Sequence, residues 1–112
     1  MKQVMRALVV PEWGQLEMRE VPRPEPGEGE ALVRIEACGI CTSTDWKVVR
    51  GQMDWSGPVP LVLGHESVGV VEQLGPGVRG LAVGDLVTRP TYPHGLSMGS
   101  GFGGFAEYGI VA

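Results

Sequence analysis

Apolar residues along this chain come in short groups that alternate with polar ones or run into Gly and Pro, the pattern of β-strands joined by turns. The first group, Val4 to Val10, predicts a strand closed by Pro11. Trp13-Gly14-Gln15 predicts a turn, and Leu16 to Val21 alternates as a half-exposed second strand. Pro22, Pro24, Pro26, Gly27 and Gly29 then form a stiff connection. Glu30 to Ala37 alternates again, with Leu32, Arg34 and Glu36 on one face and Val33, Ile35 and Ala37 on the other. Beyond Gly39, the residues Thr42, Ser43 and Thr44 are helix N-cap types, and Asp45 to Val49 predicts one or two helical turns. Gly51 to Pro60 reads as a surface loop.

The second half repeats the pattern. An apolar run from Pro60 stops at Gly64, His65 and Glu66 follow, and Ser67 to Leu74 is the most strand-like stretch, ended by Gly75-Pro76-Gly77. Leu86 to Thr88 predicts a short strand, Arg89 to Gly104 a loop, and Phe105 to Val111 a last strand. Eighteen glycines and nine prolines beside a 43% hydrophobic content argue for many turns between strands, not for disorder. The fold class expected is therefore mainly all-β, a small barrel with one short helix, because closure removes exposed strand edges. No repeat or linker divides the 112 residues.

Charge and length narrow the function classes. The net charge is −4 and the nine Lys and Arg are scattered, so no nucleic-acid footprint is present. No apolar run approaches the roughly 20 residues of a membrane helix. Ala7 to Val10, behind Lys2 and Arg6, is too short for a signal peptide, so a cytoplasmic protein with reduced thiols is expected.

Candidate chemistry centres on His65-Glu66. Two ionisable groups between core-like segments are costly to bury unless something pairs with them or binds them, and an imidazole beside a carboxylate can offer ligands to a divalent metal. Cys41 could add a thiolate. In Cys38-Gly39-Ile40-Cys41, a redox pair lacks its βαβ setting and a structural zinc knuckle lacks further ligands. Cys38 continues the apolar side of its strand, where a free cysteine acts as a small hydrophobe, while Cys41 stands at the strand's mouth. A lone histidine after glycine is commonly a turn residue bonded to backbone, and a solvated turn carboxylate is the plain reading of Glu66, although its apolar neighbours argue against full exposure. Gly99 to Gly104 matches G-x-G-x-x-G, but the fingerprint must open a helix and the eight residues that remain read as a strand, so it reads as a loop. Trp13, Trp46, Trp55, Met53 and Phe102 read singly as core or loop packing; Trp46, close to Cys41, is the best placed to line a pocket.

Four blocks then occur in order: Gly39-Ile40-Cys41, Gly64-His65-Glu66-Ser67-Val68-Gly69-Val70-Val71-Glu72-Gln73-Leu74-Gly75, Gly84-Asp85-Leu86-Val87 and Gly103-Gly104-Phe105-Ala106-Glu107-Tyr108. Together they resemble the catalytic domain of the zinc-dependent medium-chain alcohol and polyol dehydrogenases, over nearly the whole chain. The resemblance implies a GroES-like β-barrel. It implies that Cys41 and His65 bind a catalytic zinc, with Glu66 beside the metal as an alternative ligand. It implies oxidation of a primary or secondary alcohol through a zinc-bound alkoxide, with hydride passing to NAD or NADP.

In that family a hydroxyl two residues after the cysteine relays the alcohol proton, and an aspartate next to it supports the zinc-binding histidine. Plain counting puts Ser43 at the hydroxyl position, yet the acid comes one residue late, as Asp45. A one-residue insertion would instead make Thr44 the relay and Asp45 the supporting acid. Trp46 or Lys47 stands where some members carry an outer histidine, so the proton would leave by water.

No cysteine follows Cys41, so the family's structural zinc lobe is missing. Its Rossmann domain and usual third zinc ligand are missing too. Residues 1–112 are therefore expected to be the zinc and substrate domain of a longer two-domain enzyme, inactive alone. A small-molecule alcohol or polyol is the expected partner, without nucleic acid or membrane, and with room for homo-oligomers of the full-length enzyme. The alternatives are a free-standing, non-catalytic GroES-like binding module and a zinc-independent quinone-reductase-like relative. The trio Cys41, His65 and Glu66 speaks against the last.

Overall fold

The computed structural model describes residues 3–52, 58–89 and 103–111. Its elements are β1 (Val4–Val10), β2 (Glu17–Pro22), β3 (Ala31–Cys38), α1 (Thr42–Val49), β4 (Leu61–Val62), β5 (Ser67–Leu74), β6 (Leu86–Thr88) and β7 (Tyr108–Val111). The fold is mainly strand with one short helix, as the alternation of apolar residues predicts. The strands form two antiparallel sheets, ordered β2-β1-β4 and β6-β5-β3-β7. An isolated bridge from Ala7 to Ala106 joins β1 to the stretch before β7. Among the described residues the two sheets do not close into one continuous barrel. No helix among the described residues is long and apolar enough to cross a membrane.

Alternation decides which side chains go inside. Met5, Ala7 and Val9 of β1 point one way and pack with Val21 and Val62. Ala31, Val33, Val71 and Val111 fill the space under the second sheet. A third cluster matters most for the site: Val48 and Val49 of α1 pack on Val10, Leu61 and Leu63, with Phe105 against them. That contact fixes the helix to the strand leading into His65.

Besides one-residue shifts at the ends of β2 and β3, three features differ from the simple alternation. In β3 the register against β5 shifts between Leu32 and Val33 and again between Ile35 and Ala37. Such bulges turn successive side chains to one side, so Ala31, Leu32 and Val33 are all buried while Ala37 is exposed. The last strand starts at Tyr108, not Phe105. The residues before it serve as a clasp: Gly103, Gly104 and Phe105 donate their N–H groups to Val62, Gly64 and Leu63 carbonyls, and Phe105 O accepts from Leu8 N. The helix begins at Thr42, so Thr42, Ser43 and Thr44 lie in its first turn and the N-cap is Cys41, without a side-chain cap bond.

Candidate metal centre

Two chain reversals bring the site together. β3 ends at Cys38, whose partner in β5 is Ser67, and Gly39 N donates to Glu66 O at 2.9 Å. The residues just beyond this ladder, 39–41 on one side and 65–66 on the other, therefore converge. Gly64 makes the turn before His65 with φ of 102°, and a Cβ there would lie 2.6 Å from Phe105 N. Only glycine fits that corner.

Cys41 Sγ, a His65 ring nitrogen and a Glu66 carboxylate oxygen lie within 4.8 Å of one another. His65 Nε2 is 3.4 Å from Glu66 Oε2. On the other side of the ring, Nδ1 is 3.3 Å from Asp45 Oδ1. The side chains of His65 and Asp45 are only 11% and 8% exposed, whereas Glu66 is 49% exposed. Glu66 thus reaches solvent in spite of its apolar neighbours, because β5 starts only at Ser67 and Glu66 sits on the open side of the turn.

Asp45 has two tasks. Its Oδ2 accepts the N–H of Cys41 at 3.0 Å while its own N–H donates to Cys41 O at 2.8 Å. A carboxylate reaching back in this way satisfies the N-cap donor from within the helix. This is why Cys41 can take a position that Ser, Thr, Asp or Asn usually fills. The same carboxylate faces His65 Nδ1, which favours the tautomer with hydrogen there and directs the Nε2 lone pair toward Cys41 and Glu66. Ser43 is exposed and Thr44 partly buried on the same helical turn.

Cys38 stands outside this trio. It is half-buried and free, as is Cys41. Burial pushes its thiol pKa up, a backbone N–H from Glu66 opposes that, and Asp45 adds to the rise. Strict alternation would put Cys38 on the face of Arg34 and Glu36; past the register shift between Ile35 and Ala37 its sulfur instead lies against Gly64 and Gly104.

A mixed sulfur, nitrogen and oxygen donor set suits zinc. Donors on one tetrahedral zinc stand about 3.5 Å apart at ordinary bond lengths, so the observed cluster needs only small side-chain shifts to close on an ion. Asp45 also lines an apolar cleft of about 360 Å³, together with Leu8, Leu16, Ile40, Trp46 and Phe105 among others. Trp46 is 58% exposed there and carries the Arg50 guanidinium 5.2 Å over its ring. Trp13 packs along Gly51 instead. Met53, Trp55, Phe102 and most of the Gly99 to Gly104 motif lie outside the described residues.

One buried polar residue had no sequence signal. Arg89 reads as the first residue of a loop, yet it is 7% exposed and bonded to Ser67 and Ile110. A cation followed by proline and turn residues looks solvated in sequence; only the sheet order places it inside.

The family model for the alcohol dehydrogenase GroES-like domain matches residues 27–112. The chain belongs to that family. An alcohol dehydrogenase of Geobacillus stearothermophilus is 40% identical to this GroES-like domain over 93% of the chain and 36% of its own length. A cobalt- and zinc-bound thermostable alcohol dehydrogenase of Pyrobaculum aerophilum shares 31% identity at a TM-score of 0.82, covering 97% of this chain and 39% of that one. A protein of Sinorhizobium meliloti, described as a zinc-binding dehydrogenase and bound to NADP, shares 32% at 0.83 over 98% and 36%. The chain thus spans about a third of the length of these relatives.

Proposed function

We propose that this domain is the zinc- and substrate-binding part of an NAD(P)-dependent alcohol or polyol dehydrogenase, and that Cys41, His65 and Glu66 hold the metal. The observation that carries this reading is the meeting of three unlike donors within 4.8 Å, with a buried carboxylate behind the histidine. Zinc in such a site supplies a Lewis acid that makes a bound alcohol easier to deprotonate.

The chain's own residues do the rest. Asp45 faces His65 Nδ1 at 3.3 Å and ties Cys41 to the same helix, so the imidazole and the thiolate keep a fixed relation. The Asp45–His65 contact supports the one-residue insertion, in which Thr44 supplies the relay hydroxyl: its Oγ1 takes the proton leaving the alcohol and passes it to water. Ser43, exposed on the helix, is the alternative. Nicotinamide, NAD or NADP, is held by a further domain of the longer polypeptide, which aligns it for hydride transfer.

Capping Cys41 N–H accounts for one carboxylate oxygen of Asp45 in any reading; the other, facing His65 Nδ1 beside two further donors, favours a metal-binding role over a zinc-independent relative. Elemental analysis of the purified chain tests the proposal. About one zinc per chain, lost in both Cys41→Ser and His65→Ala but kept in Cys38→Ala, is expected. A chain that takes up no zinc from a stoichiometric supply, alone or within the longer polypeptide, would overturn it.

A further inference from the structure

We propose that Arg89 is a positioning residue for the ligand turn, holding His65 and Glu66 in place through Ser67; this rests on the metal reading above. Three bonds from Arg89 tie the start of β5 to β7. Its N–H donates to Ser67 O at 3.0 Å, Nη1 donates to Ser67 Oγ at 3.0 Å, and Nε donates to Ile110 O at 3.0 Å. Two of the three converge on Ser67, which is 3% exposed and directly follows Glu66. Ser67 is also the partner of Cys38 at the end of the β3–β5 ladder. Anchoring this residue anchors both strands at the point where each runs on to its ligands.

The cost of the arrangement argues for a purpose. A guanidinium taken out of water is expensive unless a carboxylate compensates it, and none among the described residues forms an ion pair with Arg89. Burial accordingly lowers its pKa. An apolar side chain would fill the same space at less expense if packing were the whole role. The surroundings are also cut to fit the group: a Cβ on Gly109 would stand 2.8 Å from Arg89 Nε and 2.9 Å from Cζ. Asp45 faces the His65 ring from the helix side, and Arg89 holds the backbone two residues on, at Ser67, from the sheet side. The two act on opposite ends of the same residue pair.

Cobalt(II) titration of the metal-free full chain tests this, read by the thiolate-to-cobalt charge-transfer and d–d absorption. Wild type is expected to show both bands. Arg89→Met and Ser67→Ala should weaken binding about ten- to a hundred-fold and shift the d–d envelope, a change in ligand geometry that lost stability alone would not produce. Arg34→Met, which removes a cation 48% exposed on β3, should change neither. If Arg89→Met fails to fold, Ser67→Ala, which removes a single bond, decides. Unchanged affinity and spectrum in the variants, with wild type binding, would overturn this proposal alone. No binding by wild type would overturn the metal reading and this proposal with it.

Discussion

Asp45 is the residue whose replacement separates a metal-supporting role from a structural one. Its carboxylate, 8% exposed, faces His65 Nδ1 at 3.3 Å and accepts Cys41 N–H at 3.0 Å. Asp45→Ala leaves the Cys41 N–H without an acceptor and takes the carboxylate away from His65 Nδ1. An unmet buried donor costs about 1–3 kcal/mol, and because Cys41 is only half-buried the loss should fall near about 1–2 kcal/mol. Asp45→Asn keeps the shape and a carbonyl oxygen for the Cys41 N–H, so its stability loss should be smaller. Metal binding should not follow that order. An amide whose oxygen caps Cys41 presents its NH2 to His65 Nδ1, which moves the ring hydrogen to Nε2 and removes the lone pair meant for the metal. Both variants should therefore lose about ten- to a hundred-fold in zinc affinity, or about 1.4–2.8 kcal/mol. Competition against a chromophoric chelator measures the affinity, and urea melts of the metal-free chains measure the stability. Asn binding zinc like wild type, with Ala weakened only as far as it is destabilised, would refute the tautomer argument.

The other predictions concern the relay, the sheet and the outlying thiol. In a two-domain enzyme of the kind proposed, Thr44→Val should lower kcat by about 10² or more while Ser43→Ala leaves it unchanged; the reverse result would assign the relay to Ser43. Gly69→Ala should destabilise the chain by about 1–3 kcal/mol in urea melts, since the new Cβ would stand 2.3 Å from Arg34 O and 2.6 Å from Val33 Cγ1 in the β3–β5 ladder. Cys38 gives a pH signature. Burial raises its pKa in the folded state, so the native chain holds this proton more tightly than the unfolded one. Its stabilising contribution is complete below the ordinary thiol value of 9.0 and is lost as pH rises through the higher native value. Urea midpoints of wild type should thus fall more steeply above pH 9 than those of Cys38→Ala, and equal slopes would contradict the shift.

What the sequence made legible was whatever depends on period and spacing. β1, β5 and β6 have the limits that alternation and turn residues predict, because each is bounded by Pro, Gly or a charged turn. The pairing of residues 39–41 with 65–66 was legible as a motif, and the structure brings the Cys41, His65 and Glu66 donors together. What composition does not encode is the effect of partners across space. The two bulges in β3 move side chains between faces without altering the residues, so Ala37 lies outside where alternation places it inside. The helix start moved by three residues because the donor at Cys41 is capped by Asp45, a residue that propensity alone puts at the start of the helix proper. Arg89 was invisible for the same reason: its acceptors, Ser67 and Ile110, are 22 and 21 positions away.

The location of the site follows from the sheet order. β4 pairs with β1 in the first sheet and β5 pairs with β3 in the second, so His65 and Glu66 occupy the passage from one sheet to the other. A chain changing sheets leaves its ladder bonds, and the freed groups need other partners. Here Gly39 N–H bonds Glu66 O, Gly64 O accepts Gly104 N–H, and Asp45 covers Cys41 N–H. The same break in the ladder that exposes these backbone groups also lets three side chains point to a common centre, which paired strands cannot do because neighbouring residues face opposite sides. A metal joining Cys41 to His65 and Glu66 would bind the end of β3 to the passage between sheets. Zinc should therefore raise the thermal midpoint of wild type and leave that of Cys41→Ser unchanged. A wild type melting at the same temperature with and without zinc would mean that the native state binds the ion no better than the unfolded chain does, and would refute the site.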